Sequence, residues 1–339
     1  MENKFCYNQN VELEQGASLP CFSLTYHTFG KLNKLKDNVV WICHALTANS
    51  DPTDWWFGLV GDGFYFNPKE HFIICVNILG SCYGSTNPLS LNPKTESAYY
   101  LDFPEFTIRD IVSTLNLLKN ELGIDKIKYL VGGSMGGQQA LEWAFLLNNK
   151  VENLILLATN AKHSPWGVAF NESQRMAIQA DNSWGEKRVD AAIEGMKAAR
   201  AIALLSYRNF DTYEKTQEDN ESQNLGIQKA SSYQQYQGKK LAKRFNAYSY
   251  YYLSKAMDSH NIGRNRGGAE KALEGIKAKT LVIGIATDIL FPVCEQKYLA
   301  GKIPDARYAE IKSLYGHDGF LIETEKIAQE IEKRFKNEN

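Results

Sequence analysis

The 339-residue chain contains no apolar run near the ~18 residues that a membrane-spanning helix requires. Its first ten residues, MENKFCYNQN, lack the apolar core of a secretory signal. Neither charge is in excess: 38 Lys and Arg stand against 39 Asp and Glu, so no bulk field draws the chain to nucleic acid or to an anionic membrane. Cysteine is scarce and scattered. Cys6, Cys21, Cys43, Cys75, Cys82 and Cys294 form no C-x-x-C pair and no Cys/His cluster at zinc spacing. They are expected as free thiols in a reducing cytosol, several of them packed as small hydrophobes, with no metal centre and no disulfide framework. Internal repeats and low-complexity tracts are absent. What is left is an ordinary composition, 44% hydrophobic and 23% charged, with length for one large α/β domain or two smaller ones.

The apolar runs alternate in kind. CFSLTYHTFG (21–30), VVWICHAL (39–46) and FIICVNILG (72–80) read as strands, as do KIKYLV (126–131), VENLILLATN (151–160), TLVIGIATD (280–288) and RYAEIKS (307–313). TIRDIVSTLNLLKNELG (107–123) reads as a helix with a Thr cap, apolar residues at helical spacing and a terminal Gly. GQQALEWAFLL and the closing IETEKIAQEIEKRF (322–335) are helical as well. Strands alternating with helices predict a mostly parallel central sheet covered on both faces. Between 161 and 276 the strand pattern stops and two helical stretches flank a polar segment at 211–232. The expected organisation is a core of residues 1–160 and 277–339, with 161–276 inserted as a helical lid.

The strand at 126–131 runs into VGGSMGGQQALEWA (131–144), a serine among four glycines with a helix behind it. Strand, sharp glycine turn and helix form the layout of a nucleophile elbow, G-x-S-x-G, with Ser134 at its tip. The pattern alone arises by chance in roughly one chain in eight of this length. Its partners decide the matter, because a serine hydroxyl needs a base oriented by an acid. His317, in LYGHDGF, follows the last predicted strand at the sheet edge where the elbow lies. His44 ends a strand that precedes the elbow, His27 and His71 lie within or before strands, and His163 and His260 belong to the helical insertion. Asp288 ends the strand before His317 and completes the chain order Ser, Asp, His of the α/β-hydrolase fold. Asp305 sits at the wrong edge, and Asp318 adjoins the base and points elsewhere. The oxyanion donors expected are the backbone N–H of Met135, at a helix start, and that of Leu46 in the HALT turn.

Several motifs extend the likeness beyond the elbow. CHALTANS, LGSCYGSTNP, FTIRDIV, GGSMGGQQALEWA, AFNESQRMAI, YQGKKLAKRFNAYSYYYLSKAMD and YGHDGF together resemble the homoserine O-acetyltransferase family, over residues 12 to 323. The resemblance implies an α/β-hydrolase core with a helical lid and a cytoplasmic homodimer packed through the lids. It implies transfer of acetyl from acetyl-CoA, a co-substrate rather than a resident cofactor, to the hydroxyl of L-homoserine in methionine biosynthesis. It places the nucleophile, acid and base on Ser134, Asp288 and His317. It places the homoserine-binding arginine on Arg175 and the amine-binding aspartate on Asp318. Two departures, Ser81 for a family glycine in LGSC and Asn87 in GSTNP, fall where the acyl pocket is expected and bear on the choice of acyl donor. The lid around 211–225 is also idiosyncratic.

The chemistry fits a ping-pong transfer through acyl-Ser134, in a site roofed against water. The lysines and arginine of KKLAKRF are available to CoA phosphates but read first as a solvated face. GRNRGG (263–268) reads as a lid connection, and the YSYYYL tyrosines as packing rather than a nucleic-acid platform. Competing readings are a succinyl-CoA-dependent homoserine or serine acyltransferase, a plain esterase on the same triad, and an inactive binding module on a hydrolase fold.

Overall fold

The computed structural model describes residues 1–219 and 226–336. Eight strands form one sheet: β1 (Glu2–Tyr7), β2 (Phe22–Phe29), β3 (Val39–Cys43), β4 (Phe72–Val76), β5 (Ile127–Gly133), β6 (Val151–Leu157), β7 (Lys279–Ile285) and β8 (Ala306–Ile311). Their spatial order is β1-β2-β4-β3-β5-β6-β7-β8. β1 and β2 are antiparallel to their neighbours, and from β4 onward every pairing is parallel. This is the mostly parallel sheet that the alternation of runs predicts, arranged as the α/β-hydrolase fold that the elbow and the resemblance imply. β1 escapes the sequence reading because only Phe5 of its six residues is buried, so the run is nearly as polar as a loop.

The helices of six or more residues are α1 (Ile108–Glu121), α2 (Met135–Leu147), α3 (Pro165–Gln179), α4 (Ile193–Tyr207), α5 (Phe210–Gln217), α6 (Lys229–Ala242), α7 (Ala247–Asp258), α8 (Ala269–Glu274), α9 (Val293–Lys302) and α10 (Thr324–Phe335). α1 starts at a reciprocal cap: Asp110 N–H donates to Thr107 Oγ1 at 3.3 Å, and Thr107 N–H donates to Asp110 Oδ2 at 2.8 Å. α3 to α8 all stand between β6 and β7, which nevertheless pair directly, Leu154 opposite Thr280. Residues 220–225, the end of the idiosyncratic 211–225 stretch, lie outside the described residues.

Strand alternation splits the core into two layers. Trp41 and Cys43 face one side with Leu130 and Leu154, where Trp41 meets Trp143 of α2 edge to face at 4.8 Å. Val40 and Ile42 face the other with Val131 and Ile283, packed on Ile327 and Ile331 of α10. Burial on both faces explains why these strands are continuous apolar runs. The runs at 39–46, 72–80, 151–160 and 280–288 end as strands three or four residues earlier than their apolar character suggests, and the leftover residues form the turns that build the site. All six cysteines are free thiols. Among the described residues, no helix is long and apolar enough to cross a membrane, and no three His, Cys, Asp or Glu side chains gather as metal ligands.

Candidate active site

Ser134 sits between β5 and α2 with φ 56° and ψ −126°, a region that side chains other than glycine rarely occupy and that costs ~1–3 kcal/mol. The neighbouring backbone holds it there. Ser134 N–H donates to Leu157 O at 2.9 Å, and Thr159 Oγ1 donates to Ser134 O at 2.9 Å. The glycines are required by contact. A Cβ on Gly132 would lie 2.1 Å from the Gly136 carbonyl oxygen, and one on Gly136 would lie 2.1 Å from that of Cys43. Strand end, helix start and the neighbouring β3 therefore meet backbone to backbone. Ser134 occupies the N-cap position of α2 without a capping hydrogen bond from its side chain, which leaves Oγ for chemistry.

The expected acid and base, Asp288 and His317, lie on the turns after β7 and β8. His317 and Asp288 are both buried, and the imidazole Nδ1–H donates to Asp288 Oδ2 at 2.6 Å. Asp288 Oδ1 accepts the N–H groups of Leu290 at 2.8 Å and Phe291 at 2.9 Å, so its carboxylate is held on both oxygens. Phe291 stacks on the imidazole at 5.1 Å, and Phe320 lies 5.2 Å from it. That arrangement fixes the tautomer and leaves Nε2 as the basic nitrogen. Ser134 and His317 line one cavity of about 400 Å³ together with Leu46, Arg200, Tyr207 and Asp318. A larger groove, about 680 Å³, opens at the opposite end of the strands among Lys128, Glu152 and Lys279, and none of the three residues reaches it.

Met135, the first residue of α2, presents its N–H from a helix start, and Leu46 lines the cavity from the turn after β3. His44 shapes that turn, a role its position at a strand end does not announce. It is fully buried, its Nδ1–H donates to Ala45 O at 2.8 Å, and its Nε2 accepts Ile78 N–H at 3.2 Å. Burial lowers its pKa to about 4, so the ring stays neutral and keeps this donor–acceptor pattern.

The two residues expected to grip the acceptor part company. Asp318 lines the cavity, and one of its oxygens is ion-paired with Arg208, the residue after α4. Arg175 does not reach the cavity, which corrects the expectation. It is buried between α3 and α7, where Nη2 meets Glu172 Oε2 and Asp258 Oδ2, each at 2.6 Å, and Nη1 donates to Ser254 Oγ at 3.2 Å. Two carboxylates and a hydroxyl occupy its donors. Arg200 on α4 lines the cavity instead, set 5.3 Å from the ring of Tyr207, two turns along the same helix. A charged residue inside the apolar run AARAIALL was the available signal.

Ser81 and Asn87 also lie off the cavity lining. Both are buried turn residues, with Ser81 Oγ accepting Tyr83 N–H and Asn87 Oδ1 accepting Leu89 N–H. They shape the loop after β4. Of the basic KKLAKRF stretch, Lys240 and Arg244 line the cavity, and Arg244 Nη1 donates to Thr47 O at 2.6 Å beside the HALT turn. The arginines of GRNRGG are intramolecular ties: Arg264 reaches Glu14, and Arg266 reaches Glu142.

Comparison with known proteins agrees with this architecture. The family model for the alpha/beta hydrolase fold matches residues 38–324. Homoserine O-acetyltransferase of Cyclobacterium marinum is 52% identical over 335 residues, 99% of this chain and 95% of that protein. The crystal structure of homoserine O-acetyltransferase from Bacillus anthracis has a TM-score of 0.91 at 24% identity, covering 98% of this chain and 97% of that one. An acetylester hydrolase from Corynebacterium glutamicum has a TM-score of 0.88 at 23% identity, covering 99% and 96%. Transferase and hydrolase share the fold, so the assignment rests on sequence likeness along the whole length. By that measure the chain belongs to the homoserine O-acetyltransferase family of α/β hydrolases, a family of acyltransferases.

Proposed function

We propose that the chain transfers the acetyl group of acetyl-CoA to the hydroxyl of L-homoserine, a step of methionine biosynthesis, by a ping-pong route through Ser134. The observation that carries this reading is the single cavity holding Ser134, His317, Arg200 and Asp318. In the first half-reaction the Ser134 Oγ proton passes to His317 Nε2 as Oγ bonds to the thioester carbonyl carbon. The C–S bond then breaks, and the proton leaves on the CoA sulfur. Asp288 stabilises the imidazolium, and the N–H groups of Met135 and Leu46 stabilise the oxyanion. In the second half His317 takes the proton of the homoserine hydroxyl. The new ester forms, the Ser134 ester bond breaks, and Oγ regains its proton.

An amino-acid acceptor carries a carboxylate and an ammonium. Arg200 supplies the cation for the first, and Asp318 the anion for the second. This role passes from Arg175 to Arg200 because Arg200 lines the cavity and Arg175 does not, and the other arginine there, Arg244, is tied to Thr47 O. Lys240 and Arg244 offer positive charge to the phosphates of the donor. Helices α3 to α8 act as a lid that keeps water from the acyl-serine, with residues 1–160 and 277–339 as the core. The enzyme works in the cytoplasm as a homodimer through the lid, whose exposed Trp166, Met176 and Leu205 supply apolar surface.

Thiol release from the purified protein tests the reading, with acetyl-CoA or succinyl-CoA offered against homoserine, serine or water. Release with acetyl-CoA that depends on homoserine is expected, together with one added acetyl on the Ser134 peptide when the acceptor is withheld. Ser134→Ala should abolish both. Equal release with water and homoserine would instead identify an esterase, the reading that the Corynebacterium neighbour favours.

A further inference from the structure

Asp288 has a second carboxylate close to it that the reaction above does not use. Glu295 lies in the first turn of α9, and Asn160, just past β6, turns its Nδ2 toward Glu295 Oε1 and Oε2 at 3.3 and 3.2 Å. Asn160 Oδ1 accepts Gln138 Nε2–H at 3.2 Å, and Gln138 N–H donates to Ser134 O at 3.2 Å. Glu295 is thus two hydrogen bonds from the elbow helix. It also shares with Asp288, Ser164 and Trp166 a cavity of about 500 Å³, distinct from the one holding Ser134. Both Asp288 oxygens are already engaged, so Glu295 acts on the triad through its charge rather than by replacing the acid.

We infer that Glu295 is a positioning residue for acyl transfer: ionised, it adds negative charge beside Asp288 and raises the basicity of His317, and protonation withdraws that support. Burial and then the charge of Asp288 push Glu295 up to about 7, outweighing the hydrogen bonds from Asn160 and Ser164 that favour its ionised form. Its charge therefore changes near neutral pH. The groups facing it are few. Asp288 lies on the β7–α9 turn with His317 beyond it, Asn160 and Ser164 flank it from the β6 side, and the neighbouring His163 is kept neutral by burial. On its own helix, Lys297 is turned to Glu310 and Lys302 to Glu270. Among the described residues, no lysine or arginine pairs with Glu295.

The test is the titration of His317 by NMR in histidine-labelled protein, which needs no acyl donor and so stands whatever the substrates prove to be. Glu295→Gln keeps the shape and removes the charge. It should lower the His317 midpoint by about half a unit or more, and move the acid limb of Ser134 acylation to lower pH by the same amount. Glu295→Asp should restore most of the wild-type midpoint. An unmoved His317 midpoint in Glu295→Gln, or a rate lowered equally at every pH, would overturn the inference. If the glutamine variant fails to fold, labelled glutamate in the wild type decides: a Glu295 midpoint near 7 supports the inference, and one below 5 ends it.

Discussion

Two arginines on adjacent helices of the insertion meet different demands. Arg175, itself buried, pairs with half-buried Asp258 and exposed Glu172, whereas Arg200 opens onto the cavity beside Ser134. Their substitutions should separate cleanly. Arg200→Gln removes a charge-assisted contact to the acceptor carboxylate, so kcat/KM for homoserine should fall about ten- to a hundredfold, while the acylation of Ser134 changes much less. Arg175→Met leaves a half-buried Asp258 without its cation and should cost ~1–3 kcal/mol of stability in urea unfolding, with KM for homoserine nearly unchanged. The opposite pattern would return the acceptor role to Arg175. Sequence periodicity places both arginines on helices of the insertion. It does not show which face of α3 or α4 turns to the cavity, because that depends on packing among helices with no strand register to fix them. The placement of Ser134, Asp288 and His317 at one end of the sheet was legible for the converse reason: each follows a strand, and strand order fixes the edge at which it emerges.

Among the elements, the contact of β5, α2 and β3 leaves no room for an added side chain. Gly136→Ala would drive a methyl against the Cys43 carbonyl, whose strand runs directly into the His44–Thr47 turn. The backbone would have to part, at a cost of about 3 kcal/mol. The Leu46 N–H would shift with it, and the rate of Ser134 acylation should drop by ~10²–10³. Urea unfolding and the burst of thiol release measure the two effects separately. An alanine variant with unchanged stability and burst would show that the helix start can retreat without disturbing the oxyanion turn. The sequence declared the crowding through its four glycines. It gave no sign that His44, a neutral ring bonded on both nitrogens, braces the same turn.

For the molecule as a whole, buried histidines set the response to acid. Burial lowers His44 and His163 to about 4 and His260 to about 3. Their folded values lie below the usual 6.5 of an unfolded chain, so the folded state binds fewer protons and stability falls as pH drops. The contribution is complete above pH 6.5 and is lost between pH 6.5 and about 3, at no more than ~4 kcal/mol per pH unit for the three together. Glu295 works in the opposite sense. Its raised value favours the folded state below its usual 4.5, and that contribution disappears as pH rises toward 7. Histidines outnumber it, so the urea midpoint should be lower at pH 5 than at pH 7. Equal midpoints would mean that these rings are charged or solvated in the folded protein.

The insertion between β6 and β7 also has a consequence in time. During synthesis the elbow strand and its serine leave the ribosome first, and the whole of α3 to α8 follows before the strand that delivers Asp288. At ~5–20 residues per second, His317 is made roughly ten to forty seconds after Ser134. Through that interval the nascent chain carries a nucleophile with no base to activate it. The sheet meanwhile ends at β6, whose open edge waits for β7. Catalytic competence arrives only when the last fifth of the chain docks, so a ribosome stalled before that point releases an inert protein with one exposed parallel strand.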